Sequence, residues 1–190
     1  SVEIAGRICQ GLKNVLIVQC DIYHMPFLPV FDLVQCIGVL HHLPEPENGF
    51  RHLVKLVKPG GCIIIWVYNR RNNNRALYFY EPLRYFTRQI PAQILYYLCY
   101  VPAFFVHAIN IFSRGSEKFP FYYYYKFPFN MKLNDAFDVL STPKSNYYFV
   151  EQIKAWFSFV KLTRIKSFEH AEAGITCIGT VNNVRHSRKD

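Results

Sequence analysis

No G-x-G-x-x-G run occurs among the nine glycines of this 190-residue sequence. A nicotinamide-dependent oxidoreductase therefore has no fingerprint to rest on, and nothing in the chain favours a hydride-transfer site. The six cysteines include no C-x-x-C pair, which removes the usual zinc and dithiol spacings. Cys20, Cys36, Cys62 and Cys177 fall inside apolar runs, where a free thiol behaves as a small hydrophobe. A reducing cytoplasm and no metal site are the expectation. Acid is scarce, with 13 acidic residues against 22 basic and a net charge of +9. The cations are scattered and no RNA-binding or helix-turn-helix signature accompanies them, so no nucleic-acid partner is expected. A solvated basic surface is the first reading and a membrane-facing one the second. No secretory signal pattern opens the chain, and residue 1 is Ser, so a processed, trimmed or partial chain is expected.

Half of the residues are hydrophobic, enough for a sizeable core. Ser1 to Leu12 read as a helix, with Ser at a cap position and Glu3 in the first turn. Asn14 to Cys20, NVLIVQC, has the pattern of a strand buried on both faces of a parallel sheet, closed by Asp21. Phe31 to Leu40 is predicted as the second strand. Pro44 to Glu47 then open a helix whose Phe50, Leu53, Val54 and Val57 recur at helical spacing. Pro59-Gly60-Gly61 should stop that helix, and Cys62 to Tyr68 form the third strand. Alternating strands and helices imply right-handed crossovers and a parallel sheet. Val150 to Phe159 is an amphipathic helix. Leu162 to Phe168 and Ile175 to Val181 are two strands with a turn near Ala173-Gly174, hence an antiparallel pair.

Between these lies a different composition. Asn69 to Arg75 is polar, and Leu77 to Tyr125 is dense in Tyr and Phe with four prolines. Two or three inserted helices are expected there. Phe119 to Lys144 reads as irregular, with a short helix near Asn134 to Val139. Ile94 to Phe112 is 19 residues without formal charge, nearly long enough to span a bilayer but interrupted by Pro102, His107 and Asn110. A lid packed on the sheet domain is the first expectation. A membrane-dipping hairpin flanked by Arg84, Arg88, Arg114 and Lys118 is the next, and implies peripheral membrane contact through 94–112. The organisation is thus 1–68 and 150–181 as a sheet domain, 69–149 as a helical insertion, and 182–190 as a basic tail.

Ligands of doubly wound sheets sit at the carboxyl ends of the strands. Asp21, the segment Gly38 to His42, and Tyr68 to Arg71 meet that rule. Asp21 can accept from an exocyclic amine and the Ile22 amide can donate to a ring; a loop or cap acid is the equal alternative. Gly38 allows close backbone approach to a ligand. His41 or His42 can orient a substrate or act as a general base, and can equally be a structural hydrogen bonder.

In order, these pieces are an acid after an apolar run, a strand leading into Gly38-Val39-Leu40-His41-His42, a helix, Lys58-Pro59-Gly60-Gly61 and a closing strand pair. Together they resemble the later part of a class I S-adenosylmethionine-dependent methyltransferase, over about residues 1–68 and 150–181. Phe137 to Phe157 resembles the end of a bacterial subgroup with a helical insertion after the fifth strand. The resemblance implies a Rossmann-like α/β fold with a mostly parallel sheet and an antiparallel closing pair. It implies S-adenosylmethionine as cofactor, with Asp21 and Ile22 at the adenine and Gly38, Val39 and Leu40 along its methionine. The family's first strand, glycine-rich turn and ribose-binding acid have no counterpart, so a fold truncated at its amino end and an inactive isolated chain are expected. The expected function is methyl transfer to a small or lipid-like acceptor. His41 or His42 would be the base, and the aromatic insertion Tyr78 to Tyr125 the acceptor pocket. The alternative is a non-catalytic, membrane-associated or interaction module.

Overall fold

Four strands make one sheet in the order β1-β2-β4-β3. The computed structural model describes residues 2–71, 73–74, 76–143, 145–170 and 174–183. Ser1, Ala173 and most of the basic tail therefore lie outside the described residues. β1 (Phe31–Ile37) and β2 (Val57–Tyr68) run parallel, with Leu33 opposite Cys62 and Ile37 opposite Trp66. β3 (Thr163–Glu169) and β4 (Gly174–Thr180) are antiparallel, and β4 lies between β2 and β3. The closing antiparallel pair is as the residue pattern predicts; the sheet among the described residues is mixed, with one parallel and two antiparallel pairings, rather than mostly parallel.

Ile63, Ile65 and Val67 of β2 are fully buried, and the alternate residues Cys62, Ile64, Trp66 and Tyr68 are half-buried. Period-two alternation sends the first set to one face. There they meet Phe50 and Leu53 of α2 (Pro46–Val54) and Ile153 and Phe157 of α7 (Val150–Phe159). Phe50 and Phe157 stack at 4.8 Å between ring centroids. Gly179 of β4 faces this pair, and a Cβ there would stand 2.6 Å from the Phe157 ring. Gly179→Ala is expected to cost about 1–2 kcal/mol by overpacking, read as a lower urea midpoint. An unchanged midpoint would mean that Phe157 moves aside freely.

Three expectations are corrected. Asn14 to Cys20 is not a strand: it pairs with no described strand, Val15, Ile17 and Val18 are exposed, and Leu16 is 82% exposed. Apolar periodicity makes a strand only where a neighbour takes its N–H and C=O groups. β1, with β2 on one side only, is the sheet edge. Second, α2 ends at Val54, before Pro59-Gly60-Gly61. Those residues bulge within the first half of β2, where the register jumps from Phe31↔Val57 to Leu33↔Cys62. Gly60 takes φ +82° there and donates its N–H to Val181 O. Third, Phe129–Ser141 is a 13-residue helix, α6, in place of a mostly irregular stretch.

The insertion holds α3 (Glu81–Thr87), α4 (Ala92–Leu98), α5 (Tyr100–Ser113) and α6. Its own core is small: Leu95, Cys99, Ala103 and Leu133. α1 (Val2–Ile8) opens the described chain and buries none of its residues.

Candidate active site

The chain leaves β1 through Gly38, whose φ of +76° turns it away from the sheet. The Gly38 amide still donates to Trp66 O at 3.2 Å, so the turn stays fastened to the carboxyl end of β2. Leu40 to His42 then form a single 3-10 turn, which rotates successive side chains apart. Val39 is exposed, Leu40 is sunk in the sheet core, His41 is fully buried and His42 is half-buried. Leu40 can therefore offer a ligand only its backbone.

His41 lies 3.9 Å from the Tyr68 ring and 5.8 Å from Trp66, on the half-covered face of the sheet. Neither ring nitrogen has a hydrogen-bond partner. Burial first, then the neighbouring His42 and the Arg84 guanidinium, push its pKa down to about 3. The ring is neutral at physiological pH and a weak base.

The stretch Ser145 to Phe149 crosses the ends of both strands. Asn146 donates to His41 O from its amide at 2.8 Å and from its side chain at 3.0 Å. Tyr148 N–H donates to Tyr68 O, and Arg70 N–H returns to Tyr148 O. Tyr147 stacks on Tyr68 at 5.5 Å and donates its hydroxyl to Glu81 at 3.0 Å. Burial first, and the Glu81 carboxylate second, push the Tyr147 phenol up to about 12.

Arg84 of α3, only 5% exposed, ties this crossing to the insertion. Its guanidinium donates to Glu81 Oε1 at 2.5 Å, Ser145 Oγ at 2.7 Å and Val139 O at 2.5 Å. Ser145 Oγ in turn lies 3.4 Å from His42 Nδ1. A continuous polar chain thus runs from α3 to His42 on the turn that follows β1. Sequence reasoning placed Arg84 among exposed cations flanking a membrane hairpin; it is instead a buried bridge. Neither Glu81, Ser145 nor Tyr147 was singled out. The run Ser145-Asn146-Tyr147-Tyr148 directly before the α7 cap was the available signal.

At the end of β2, Asn69 is fully buried. It donates to Glu169 at 2.8 Å, and its Oδ1 accepts from Arg71 N–H at 3.0 Å. The Tyr68 to Arg71 stretch is therefore anchored to β3 and serves as a fixed edge.

Asp21 and Ile22 sit on a separate loop. Asp21 is exposed, accepts from Tyr23 N–H at 3.0 Å and faces His24 Nδ1 at 3.2 Å. The Tyr23 amide, then His24, holds its carboxyl below the usual range. Ile22 packs on the sheet core, and the Tyr23 hydroxyl accepts from Glu45 N–H at 3.1 Å, pinning the loop to the start of α2. The structure brings Gly38 to His42 together on one turn. No hydrogen bond among the described residues joins Asp21 to it.

The Gly38 to His42 turn and the Tyr68 to Arg71 stretch thus stand at the carboxyl ends of β1 and β2, where doubly wound sheets hold their ligands. Residues 2–65 match the family described as a methyltransferase domain. The chain is 34% identical over 61 residues to a ubiquinone biosynthesis O-methyltransferase of Escherichia coli, covering 32% of this chain and 25% of that protein. Over 42 residues it is 43% identical to the protein of that name in Alkalilimnicola ehrlichii, covering 22% and 17% respectively. The crystal structure of CurJ carbon methyltransferase superposes over 95% of this chain and 39% of its own length, with a TM-score of 0.53 at 12% identity. That likeness concerns the fold. The chain spans a quarter or less of the length of these curated relatives. The matched region, about a third of the chain, is similar to methyltransferase domains.

Proposed function

We propose that this chain contributes to methyl transfer from S-adenosylmethionine to a small acceptor with an apolar, lipid-like part. The family match over residues 2–65 carries this reading, because it contains Asp21, Ile22 and the whole Gly38 to His42 turn. The residues present suit the cofactor. Asp21 is an exposed anion able to accept from an exocyclic amine. A Cβ at Gly38 would meet nothing within 4 Å, so the backbone there is open to a ligand. When bound, the cofactor supplies an electrophilic methyl group, and alignment with the acceptor dominates catalysis.

His42 takes the base role in this reading. It is half-buried beside the Ser145 hydroxyl. His41, neutral and packed under Tyr68, positions the turn. The test is calorimetric titration with S-adenosylmethionine, on this chain and on a form extended at its amino end. Binding by the extended form that falls at least tenfold on Asp21→Ala is the expected outcome. Binding by neither form would overturn the proposal.

One observation favours a membrane role beside, or in place of, catalysis. Ala92–Ser113 is long and apolar enough to cross a membrane by length and composition, although α4 and α5 break at Cys99. Tyr97, Val101, Phe104, Phe105 and Phe112 are exposed on it, and the cations Arg88, Arg114 and Lys118 flank it. That pattern supports a surface-lying contact through 94–112, at the cytoplasmic side of a membrane. Flotation with anionic liposomes is expected, and Phe104→Ser with Phe105→Ser should abolish it. Failure of the wild type to float removes the membrane role.

A further inference from the structure

Within the insertion, α3, α5 and α6, with Phe79, Tyr80 and Tyr124, line a partly open cavity of about 540 Å³, inside the size range of small-molecule pockets. Leu83, Ala103, Val106, Ile109, Ala136 and Val139 form apolar walls. Two of the lining side chains carry charge-bearing groups, Lys132 and Asp135. Asp135 is engaged by the Tyr124 hydroxyl. Lys132 is only 4% exposed, and its Nζ donates to His107 Nδ1 at 3.1 Å. No carboxylate among the described residues lies within ion-pair distance of it. Desolvation lowers its pKa accordingly.

An ammonium group removed from water without an anion is costly, and one hydrogen bond to an imidazole nitrogen offsets little of that cost. Two of its three N–H donors remain for a ligand. We propose that this cavity binds an amphipathic carboxylate, its head on Lys132 and its apolar chain along the α5 and α6 walls. The cavity adjoins the Arg84 bridge, since Leu83 precedes Arg84 and the Val139 carbonyl accepts from it. The ligand's identity as the methyl acceptor rests on the proposed function; its binding does not.

The test is calorimetry on the 190-residue chain without S-adenosylmethionine, using laurate, dodecanol and dodecylamine as probes. Saturable binding of laurate, at least tenfold tighter than dodecanol and with dodecylamine weakest, is the expected result. Lys132→Met should weaken laurate at least tenfold and leave dodecanol unchanged. Ala136→Trp, which fills the cavity, should abolish both. Equal affinities for laurate and dodecanol in the wild type would overturn the proposal without recourse to any variant. Laurate binding that survives Ala136→Trp would place the ligand on the exposed apolar surface and overturn it as well. Absence of S-adenosylmethionine binding in the earlier titration leaves these outcomes unaffected, so the two readings fail separately.

Discussion

Arg84→Met is expected to destabilise the protein by about 3–5 kcal/mol, because removing one partner strands the other buried groups. The guanidinium is the shared donor for Glu81, Ser145 and the Val139 carbonyl, and Met fills its volume without replacing any of these bonds. Glu81 is then left facing only the Tyr147 hydroxyl. Glu81 is about one-third exposed, so water relieves part of the loss and the lower end of the range applies. Guanidinium unfolding followed by circular dichroism measures it. The double variant with Glu81→Gln should cost less than the sum of the single changes, since both act on one network. A loss below about 1 kcal/mol for Arg84→Met would show that the insertion and sheet are not energetically joined through this bridge. Because Ser145 loses its anchor beside His42, methyl transfer should fall in the same variant if the proposed function is right.

The second large effect is in acid. Folded, His41 binds a proton only near pH 3; unfolded, it does so near 6.5. Between those values the unfolded chain carries more protons, so stability falls as pH falls through that window. At pH 4 the loss attributable to His41 is about 3 kcal/mol relative to pH 8, since each tenfold difference in proton affinity between the folded and unfolded chain is worth about 1.4 kcal/mol. His41→Phe should remove this dependence. At pH 8 it should be neutral or stabilising, since both ring nitrogens are buried without partners and an apolar ring loses nothing there. The comparison is the difference between the two stability curves from pH 4 to 8, which cancels the carboxylates common to both. Parallel curves would show that His41 is solvated in the folded protein.

Much of the sheet was legible because its signals are local. Ile63, Ile65 and Val67 alternate, Gly38 ends its strand, and α7 carries its own apolar stripe and a cap in which Gln152 accepts from Phe149 N–H. The candidate site was half legible. The Gly38 to His42 turn follows a strand directly, so strand-end logic finds it. The crossing stretch Ser145 to Tyr148 comes from more than a hundred residues away, and Arg84 looked like any exposed cation until α3 packed against it.

The order of apolar runs, turn residues and caps is enough to specify an α/β sheet with an antiparallel closing pair, because those preferences act over a few residues at a time. Whether an apolar run becomes a strand is not a local property. Asn14 to Cys20 has the composition of one and no neighbour to complete its hydrogen bonds. The same holds for charge. His41, Arg84 and Lys132 are ordinary titratable residues in the chain, and burial and long-range neighbours make them a neutral ring, a buried bridge and an unpaired cation. Desolvation depends on what packs around a group, and that is settled only when distant segments meet.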